Sequence, residues 1–210
     1  MLITFEGLDG SGKTTQIQRA AAELRAAGHN VLLTREPGGT AIGDQIRAVL
    51  HDLRNAEMHP HTELLLYNAS RAQLVAQVLR PHLAAGGLAL CDRFFDSTLA
   101  YQGCGRGLDM DTLRVIVTFA TGGLRPDLTI LLDIAPEEAL RRRRQASLFG
   151  EEWNRLDDME LDFHRRVHAG YRALAQAEPA RWAVVDASGS PEFVAQQVRA
   201  LLAARVPAPA

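Results

Sequence analysis

The chain has 210 residues, 47% of them hydrophobic, enough for one sizeable core, and its formal net charge of −2 gives no general attraction to nucleic acid or to an anionic membrane. Its two cysteines, Cys91 and Cys104, sit in no Cys/His metal spacing, and no apolar run is long enough to span a bilayer. These figures predict a soluble, cytoplasmic domain over residues 1–205 that handles a small ligand through locally clustered cations, with a first strand so early that no room is left for a cleavable leader.

Leu2-Ile3-Thr4-Phe5 is a short apolar run that reads as a buried strand. It feeds Gly7-Leu8-Asp9-Gly10-Ser11-Gly12-Lys13-Thr14, which fits the phosphate-loop pattern G-x-x-x-x-G-K-[ST]. After Thr15 a helix follows, with Ile17, Ala20, Ala21 and Leu24 at helical spacing and Gly28 just past its end. In that order, glycines let backbone N–H groups turn inward and the helix N-terminus adds partial positive charge, while the Thr14 hydroxyl is placed to hold Mg²⁺. Lys13 is the only lysine in the chain. Its compact ammonium reaches into a loop wrapped round a phosphate, where a planar guanidinium fork does not fit. The loop predicts a nucleoside triphosphate site.

Val31 to Thr34 reads as a second strand, delivering Arg35-Glu36-Pro37-Gly38-Gly39-Thr40. A cis Glu36–Pro37 bond would make the sharp turn there. Pro60 opens a long helix through 62 to 84, and Tyr67 and Arg71, four apart, share one of its faces. Leu88 to Cys91 is a third strand, ending in Asp92-Arg93, with Cys91 as a small core residue. A helix over 111 to 121 and strands at Leu128 to Asp133 and Trp182 to Asp186 bring the total to about five strands alternating with helices. That pattern predicts an α/β fold with a parallel sheet covered on both faces. Ser190-Pro191-Glu192 supplies cap, first-turn proline and acidic first turn for the last helix, and residues 206–210 read as a frayed tail.

The run Arg141 to Arg144 fans over about 300° at about 100° per residue, so the four cannot share one solvated helix face. Either the helix projects from the body or it leads into a mobile segment, Gln145 to Arg155, which is polar and carries Gly150.

In such a sheet ligands collect at the carboxyl ends of the strands. Asp9, Arg35 and Asp92-Arg93 all fall there. Asp92 is the better metal carboxylate because Arg93 accompanies it; Asp133 also ends a strand, but Ala135-Pro136-Glu137-Glu138 after it reads as an ordinary helix start. Arg35 and Arg93 are either surface ion-pair partners or, with Lys13, a cationic pocket richer in charge than one triphosphate requires.

Together, Phe5 to Thr15, Thr34 to Thr40, Cys91-Asp92-Arg93, Ser97-Thr98-Leu99-Ala100-Tyr101-Gln102-Gly103, Arg125 to Thr129 and Val185 to Ser188 resemble bacterial thymidylate kinases over nearly the whole chain. The resemblance implies a phosphate-loop NTPase fold with a short mobile lid at about 141–155, and Mg²⁺-dependent transfer of the ATP γ-phosphoryl group to dTMP, giving dTDP for dTTP synthesis. It implies ATP binding by Gly7, Leu8, Asp9, Gly10, Ser11, Gly12, Lys13, Thr14 and Thr15, with Lys13 on the β- and γ-phosphates and Thr14 and Asp92 supporting Mg²⁺. Arg35 and Arg93 would hold the acceptor phosphate, and Asp9 would orient the sugar or share the metal. Tyr67 would stack on thymine while Arg71 and Thr98 read its edge. Tyr101 would press on the sugar against a ribose 2′-hydroxyl, and Glu36, Pro37, Ser97 and Gln102 would complete the acceptor site. Because Gly10-Ser11 leaves no arginine inside the loop, the resemblance assigns the catalytic arginine to the lid, where Arg142, Arg144 and Arg155 are the candidates. It also implies a homodimer, with the helices at 62 to 84 and 111 to 121 able to supply either interface or core.

Two other readings share parts of this pattern. Another nucleotide kinase would keep the loop, the Asp-Arg pair and the lid, and would differ only at Tyr67, Arg71, Thr98 and Tyr101. A nucleotide-dependent switch would need an Asn-Lys-x-Asp after an apolar strand, whereas Asn154-Arg155-Leu156-Asp157 follows the polar Gly150-Glu151-Glu152.

Overall fold

The structure, a computed structural model, describes residues 1–148 and 153–209. Five strands form one parallel sheet in the order β2-β3-β1-β4-β5: β1 is Leu2–Glu6, β2 Val31–Arg35, β3 Leu88–Asp92, β4 Leu128–Asp133 and β5 Trp182–Asp186. The first three run one residue past the apolar stretch that marks them in the sequence. Glu6, Arg35 and Asp92 stay in the ladder because Glu6 is paired with Leu131 and Arg35 with Asp92, so backbone pairing outlasts side-chain hydrophobicity. Charged groups are thereby held rigidly at the sheet's carboxyl edge.

Alternation along the strands divides the core between two faces. Ile3, Phe5, Leu88 and Leu90 join Ile17, Ala20 and Leu24 of α1 (Lys13–Ala26) and Val194 and Val198 of α9 (Pro191–Arg205). Leu2, Ala89 and Cys91 point the other way, to Leu64 and Leu74 of α3 (Pro60–Leu74) and Leu113 and Val117 of α6 (Met110–Thr121). Among the described residues the other α-helices are α2 (Ala41–His51), α4 (Arg80–Ala84), α5 (Phe95–Thr98), α7 (Pro136–Leu148) and α8 (Leu161–Ala177).

The long helix expected through residue 84 is interrupted. Between α3 and α4 the chain widens to a π-helical stretch over Val75–Leu79, just before Pro81, whose ring nitrogen has no hydrogen to continue the ladder. A second π-helical stretch, Leu99–Gly105, continues α5 and carries Tyr101 and Gln102. Helix α7 runs on to Leu148, so Arg141–Arg144 and the first part of the expected lid are helical. Gly150, Glu151 and Glu152 of that segment lie outside the described residues. At the other end of the chain α9 stops at Arg205 and Val206 packs on the core. Among the described residues no helix is long and apolar enough to cross a membrane.

Candidate active site

The carboxyl ends of β1, β2 and β3 open onto one cavity of about 790 Å³. The phosphate loop forms its floor. Gly10 takes φ 86°, and a Cβ there would stand 2.2 Å from the Ala139 carbonyl oxygen of α7; Gly7, at φ 137°, would meet the Leu132 carbonyl at 2.6 Å. Only glycine fits either position. Leu8 and Ser11 are buried beneath the loop, while Asp9, Gly10, Gly12, Lys13, Thr14 and Thr15 face the cavity. Because α1 starts at Lys13, its unsatisfied N–H groups point at the same space.

Lys13 Nζ donates to the Leu8 carbonyl (2.8 Å) and lies 3.7 Å from Asp9 Oδ1; burial, with Arg93 nearby, lowers its pKa. Arg93 Nη2 donates to that same Asp9 oxygen at 2.8 Å. Burial opposes the charge on Asp9, but Arg93 and Lys13 outweigh it and hold the carboxyl well below the usual range. Thr14 Oγ1 donates to Asp92 Oδ2 at 3.0 Å, so the two oxygen-bearing residues expected at Mg²⁺ are together. Asp133 is occupied elsewhere, taking His168 Nε2 at 2.6 Å and Arg172 Nη1 at 2.7 Å.

Arg93 is the one described non-glycine residue with positive φ, 68°, a costly conformation that its surroundings must enforce. Its Nη1 donates to Ser97 Oγ and to the Tyr171 hydroxyl, each at 3.1 Å, and its Nη2 to the Tyr101 hydroxyl at 3.2 Å. Ser97 and Tyr171 in turn donate to Glu6 Oε2, at 2.6 and 2.8 Å, and the Phe94 N–H donates to Glu6 Oε1 at 2.8 Å. Burial and the neighbouring Asp96 push the Glu6 pKa up to about 7. Arg35 is freer: it pairs with Asp44 at 3.2 Å, is 54% exposed, and lines the same cavity as Lys13 and Arg93.

The opposite wall comes from α3. Tyr67 is half-buried against the core and Arg71 is only 1% exposed. The Glu36–Pro37 bond is cis, and Arg71 Nε donates to Glu36 Oε2 at 2.8 Å. Its Nη1 reaches Asn68 Oδ1 (2.8 Å) and Thr98 Oγ1 (3.1 Å), and its Nη2 the Phe94 carbonyl (3.3 Å), so Arg71 stands as a braced plate on the wall. Burial lifts the Glu36 pKa to about 7 against the pull of Arg71, and Glu36 Oε1 is buried with no hydrogen-bond partner among the described residues. Pro37, Ser97, Thr98, Tyr101 and Gln102 complete this side.

The lid candidates separate. Arg142 lines the cavity edge and donates to the Ala187 and Ser188 carbonyls, each at 2.9 Å. Arg144 is exposed on the outer side of α7 and away from the cavity. Arg155 is buried but turned to Glu63, leaving the cavity to its neighbours Asn154 and Leu156. The fan of four thus sends Arg143 inward instead, where it grips Asp157 at 2.9 to 3.1 Å beside the phosphate loop. The sequence reading named the run but not Arg143, since a period of 3.6 does not say which residue of four faces in. Glu6, Tyr171, Arg47 and His51 were missed as well. Glu6 lay in the motif as an apparent strand end, and Tyr171 sits in α8, far along the chain with no local pattern. On α2, Arg47 Nη1 donates to the Pro37 carbonyl at 3.2 Å, and burial beside Arg47 pushes the His51 pKa down to about 4, so a neutral imidazole lines the cavity.

Comparison with known proteins agrees with this geometry. The family model described as "Thymidylate kinase" matches residues 5–198. Thymidylate kinases of Roseiflexus castenholzii and Thermomicrobium roseum are 53% and 55% identical to the chain, covering 96% and 93% of it and 92% and 91% of their own lengths. That of Desulfovibrio desulfuricans is 52% identical, covering 97% of this chain and 95% of its own. The crystal structure of thymidylate kinase from Ehrlichia chaffeensis superposes with a TM-score of 0.77 at 32% identity, over 96% of this chain and 98% of that one. The parallel sheet, the phosphate loop at the end of β1 and this full-length similarity place the chain in the thymidylate kinase family of nucleoside monophosphate kinases, with the phosphate-loop NTPase fold.

Proposed function

We propose that the cavity holds ATP and dTMP tail to tail and passes the γ-phosphoryl group between them, with Lys13 serving the donor and Arg35 and Arg93 the acceptor. The observation that carries this reading is that all three cations line one cavity, and that Lys13 and Arg93 flank a single oxygen of Asp9. Two phosphorylated substrates need both neutralised, and catalysis of this kind is mostly alignment and electrostatics.

Loop N–H groups and the α1 N-terminus bind the ATP phosphates, and Lys13, released from the Leu8 carbonyl, follows the charge that develops on the γ-phosphoryl oxygens. Asp9 keeps Arg93 aimed at the acceptor phosphate, and the Ser97, Tyr171 and Glu6 brace keeps its side chain extended. Arg142 and Arg143 supply positive charge from α7. Tyr67 offers a ring face to a pyrimidine, and the Tyr101 hydroxyl, tied to Arg93, leaves little room on the sugar's lower edge. For base reading, Arg71 would share a nitrogen that now serves Asn68 or Thr98. Thr14 and Asp92 are hard oxygen donors already in contact, which fits Mg²⁺, an ion that uses one or two protein oxygens plus substrate phosphates. When bound, that ion neutralises phosphate charge. Asp9, engaged by two cations, fits the metal less well than it fits the arginine.

A homodimer is part of the same proposal. Leu65 of α3 and Val115 and Phe119 of α6 are large, exposed and carried by two helices that pack together.

Supplying ATP, Mg²⁺ and one nucleoside monophosphate at a time tests the assignment by the diphosphate formed. dTMP is the expected best acceptor; preference for a purine monophosphate would overturn it.

A further inference from the structure

Glu63 is a buried carboxylate that the reaction described above does not use. It is fully enclosed on α3, at 0% exposure. Three residues from two places in the chain converge on it: Gln102 Nε2 at 2.8 Å and Arg106 Nη2 at 2.9 Å from the stretch after α5, and Arg155 Nη2 in a still closer contact. Burial works against its charge, but the Arg106 and Gln102 hydrogen bonds and Arg155 outweigh that and lower its pKa, so the carboxylate is ionised. Two guanidiniums on one acid is more than charge balance requires.

The arrangement has a direction. Glu63, Tyr67 and Arg71 recur every four residues, so they lie along one face of α3, the face that meets the acceptor half of the cavity. On the other side of the contact, Arg155 sits between Asn154 and Leu156, which both line the cavity. The Asn154 N–H donates to Asp157 Oδ2 at 2.9 Å, and that same carboxylate is gripped by Arg143 of α7. Arg143 stands directly over the phosphate loop: a Cβ on Gly10 would be 3.1 Å from its backbone nitrogen. Two charged contacts joined by one backbone turn therefore link the acceptor face of α3 to the donor side of the cavity: Glu63 to Arg155 at one end, the Asn154–Asp157 turn between, and Asp157 to Arg143 at the other.

We infer that Glu63 is a positioning residue for phosphoryl transfer, fixing the Asn154–Asp157 turn to the acceptor helix so that Arg143 is held over the phosphate loop. It touches neither substrate. Its role rests on the kinase reading above and adds a specific dependence: turnover requires the Glu63–Arg155 contact, whereas acceptor binding, which uses the other turns of α3, does not. Arg106 serves as the internal comparison. It binds the same carboxylate, packs over the Phe163 ring at 5.5 Å and reaches Met159 Sδ at 3.5 Å, but makes no hydrogen bond to the Asn154–Asp157 turn or to Arg143 among the described residues.

The test uses the full chain with ATP, Mg²⁺ and dTMP, comparing Glu63→Gln, Arg155→Met, their double variant and Arg106→Met in steady-state kinetics, with melting temperature recorded for each. Glu63→Gln and Arg155→Met are each expected to lower kcat by about tenfold or more while the KM for dTMP moves by less than about threefold, with the double variant no worse than the poorer single. Arg106→Met is expected to melt earlier yet keep kcat within about twofold. The inference is overturned if Arg155→Met keeps wild-type kcat, if the two losses multiply in the double variant, or if Arg106→Met loses as much turnover as Arg155→Met. Should Glu63→Gln not fold, the comparison of Arg155→Met with Arg106→Met decides the matter alone. Absence of transfer by the unaltered protein would instead defeat the kinase reading itself, which keeps the two failures apart.

Discussion

Lys13 and Arg93 meet at one oxygen of Asp9, and the difference between an ammonium and a guanidinium decides what each does there. The loop around Lys13 is tight enough to exclude a Cβ at Gly7 and Gly10, so a fork-shaped cation in place of Lys13 would displace the backbone that binds phosphate. Lys13→Arg should therefore lower kcat by about 100-fold or more even though charge is conserved, as measured by dTDP formation at saturating ATP. Glu6 makes a different prediction, on stability. Its folded pKa of about 7 lies above the ordinary value of 4.5. Below pH 4.5 the carboxyl is protonated in both states, while between there and about pH 7 the unfolded chain loses a proton that the folded protein keeps. Glu6 therefore contributes stability that fades as pH rises through that window. Glu6→Gln, which cannot titrate, should flatten the fall in the unfolding free energy from urea titrations between pH 4.5 and 7, by about 1–3 kcal/mol across the window. An unchanged slope would mean that the ring around Arg93 holds an ionised carboxylate throughout.

Helix α7 shows how an element turns a run of identical residues into distinct roles. Arg141 pairs with Glu138 in solvent, Arg142 reaches the carbonyls after β5, Arg143 turns to Asp157 and Arg144 faces outward. Alanine at Arg144 should leave kcat within about twofold and stability within about 0.5 kcal/mol. Alanine at Arg143 should cut kcat by about 10- to 100-fold and also destabilise, since it leaves the carboxylate of Asp157 buried without its main partner. Steady-state kinetics and thermal melts on the two variants check this directly; equal losses would show that the helix does not present its arginines in this order. The π-helical stretch Leu99–Gly105 works similarly, widening the helix where Tyr101 and Gln102 face the cavity.

For the molecule as a whole, the strand order β2-β3-β1-β4-β5 puts the phosphate loop at the centre of the sheet's carboxyl edge, with Arg35 and Arg93 arriving from β2 and β3 on one side. The α3 and α6 helices cover the face beneath the acceptor wall, and their outer surface is where a second copy would sit. Phe119 is 88% exposed there. Phe119→Glu should shift the protein from dimer to monomer in sedimentation velocity at micromolar concentration, because a charge at the centre of an apolar contact loses its water without gaining a partner. A monomeric unaltered protein would remove the dimer from the proposal.

Local pattern was enough to establish the strands, the phosphate loop, the cap at Ser190 and the one-face pairing of Tyr67 with Arg71, because each depends on neighbours within a turn or a few residues. Periodicity and loop chemistry act at that range. Which arginine of four faces inward, why Arg93 tolerates its left-handed backbone, and what encloses Glu63 depended instead on groups that approach from remote parts of the chain: Asp157 for Arg143, Tyr171 and Glu6 for Arg93, Arg155 and Gln102 for Glu63. The energy of a buried charge is set by whatever partners the fold delivers to it, and no stretch of sequence contains both ends of such a contact.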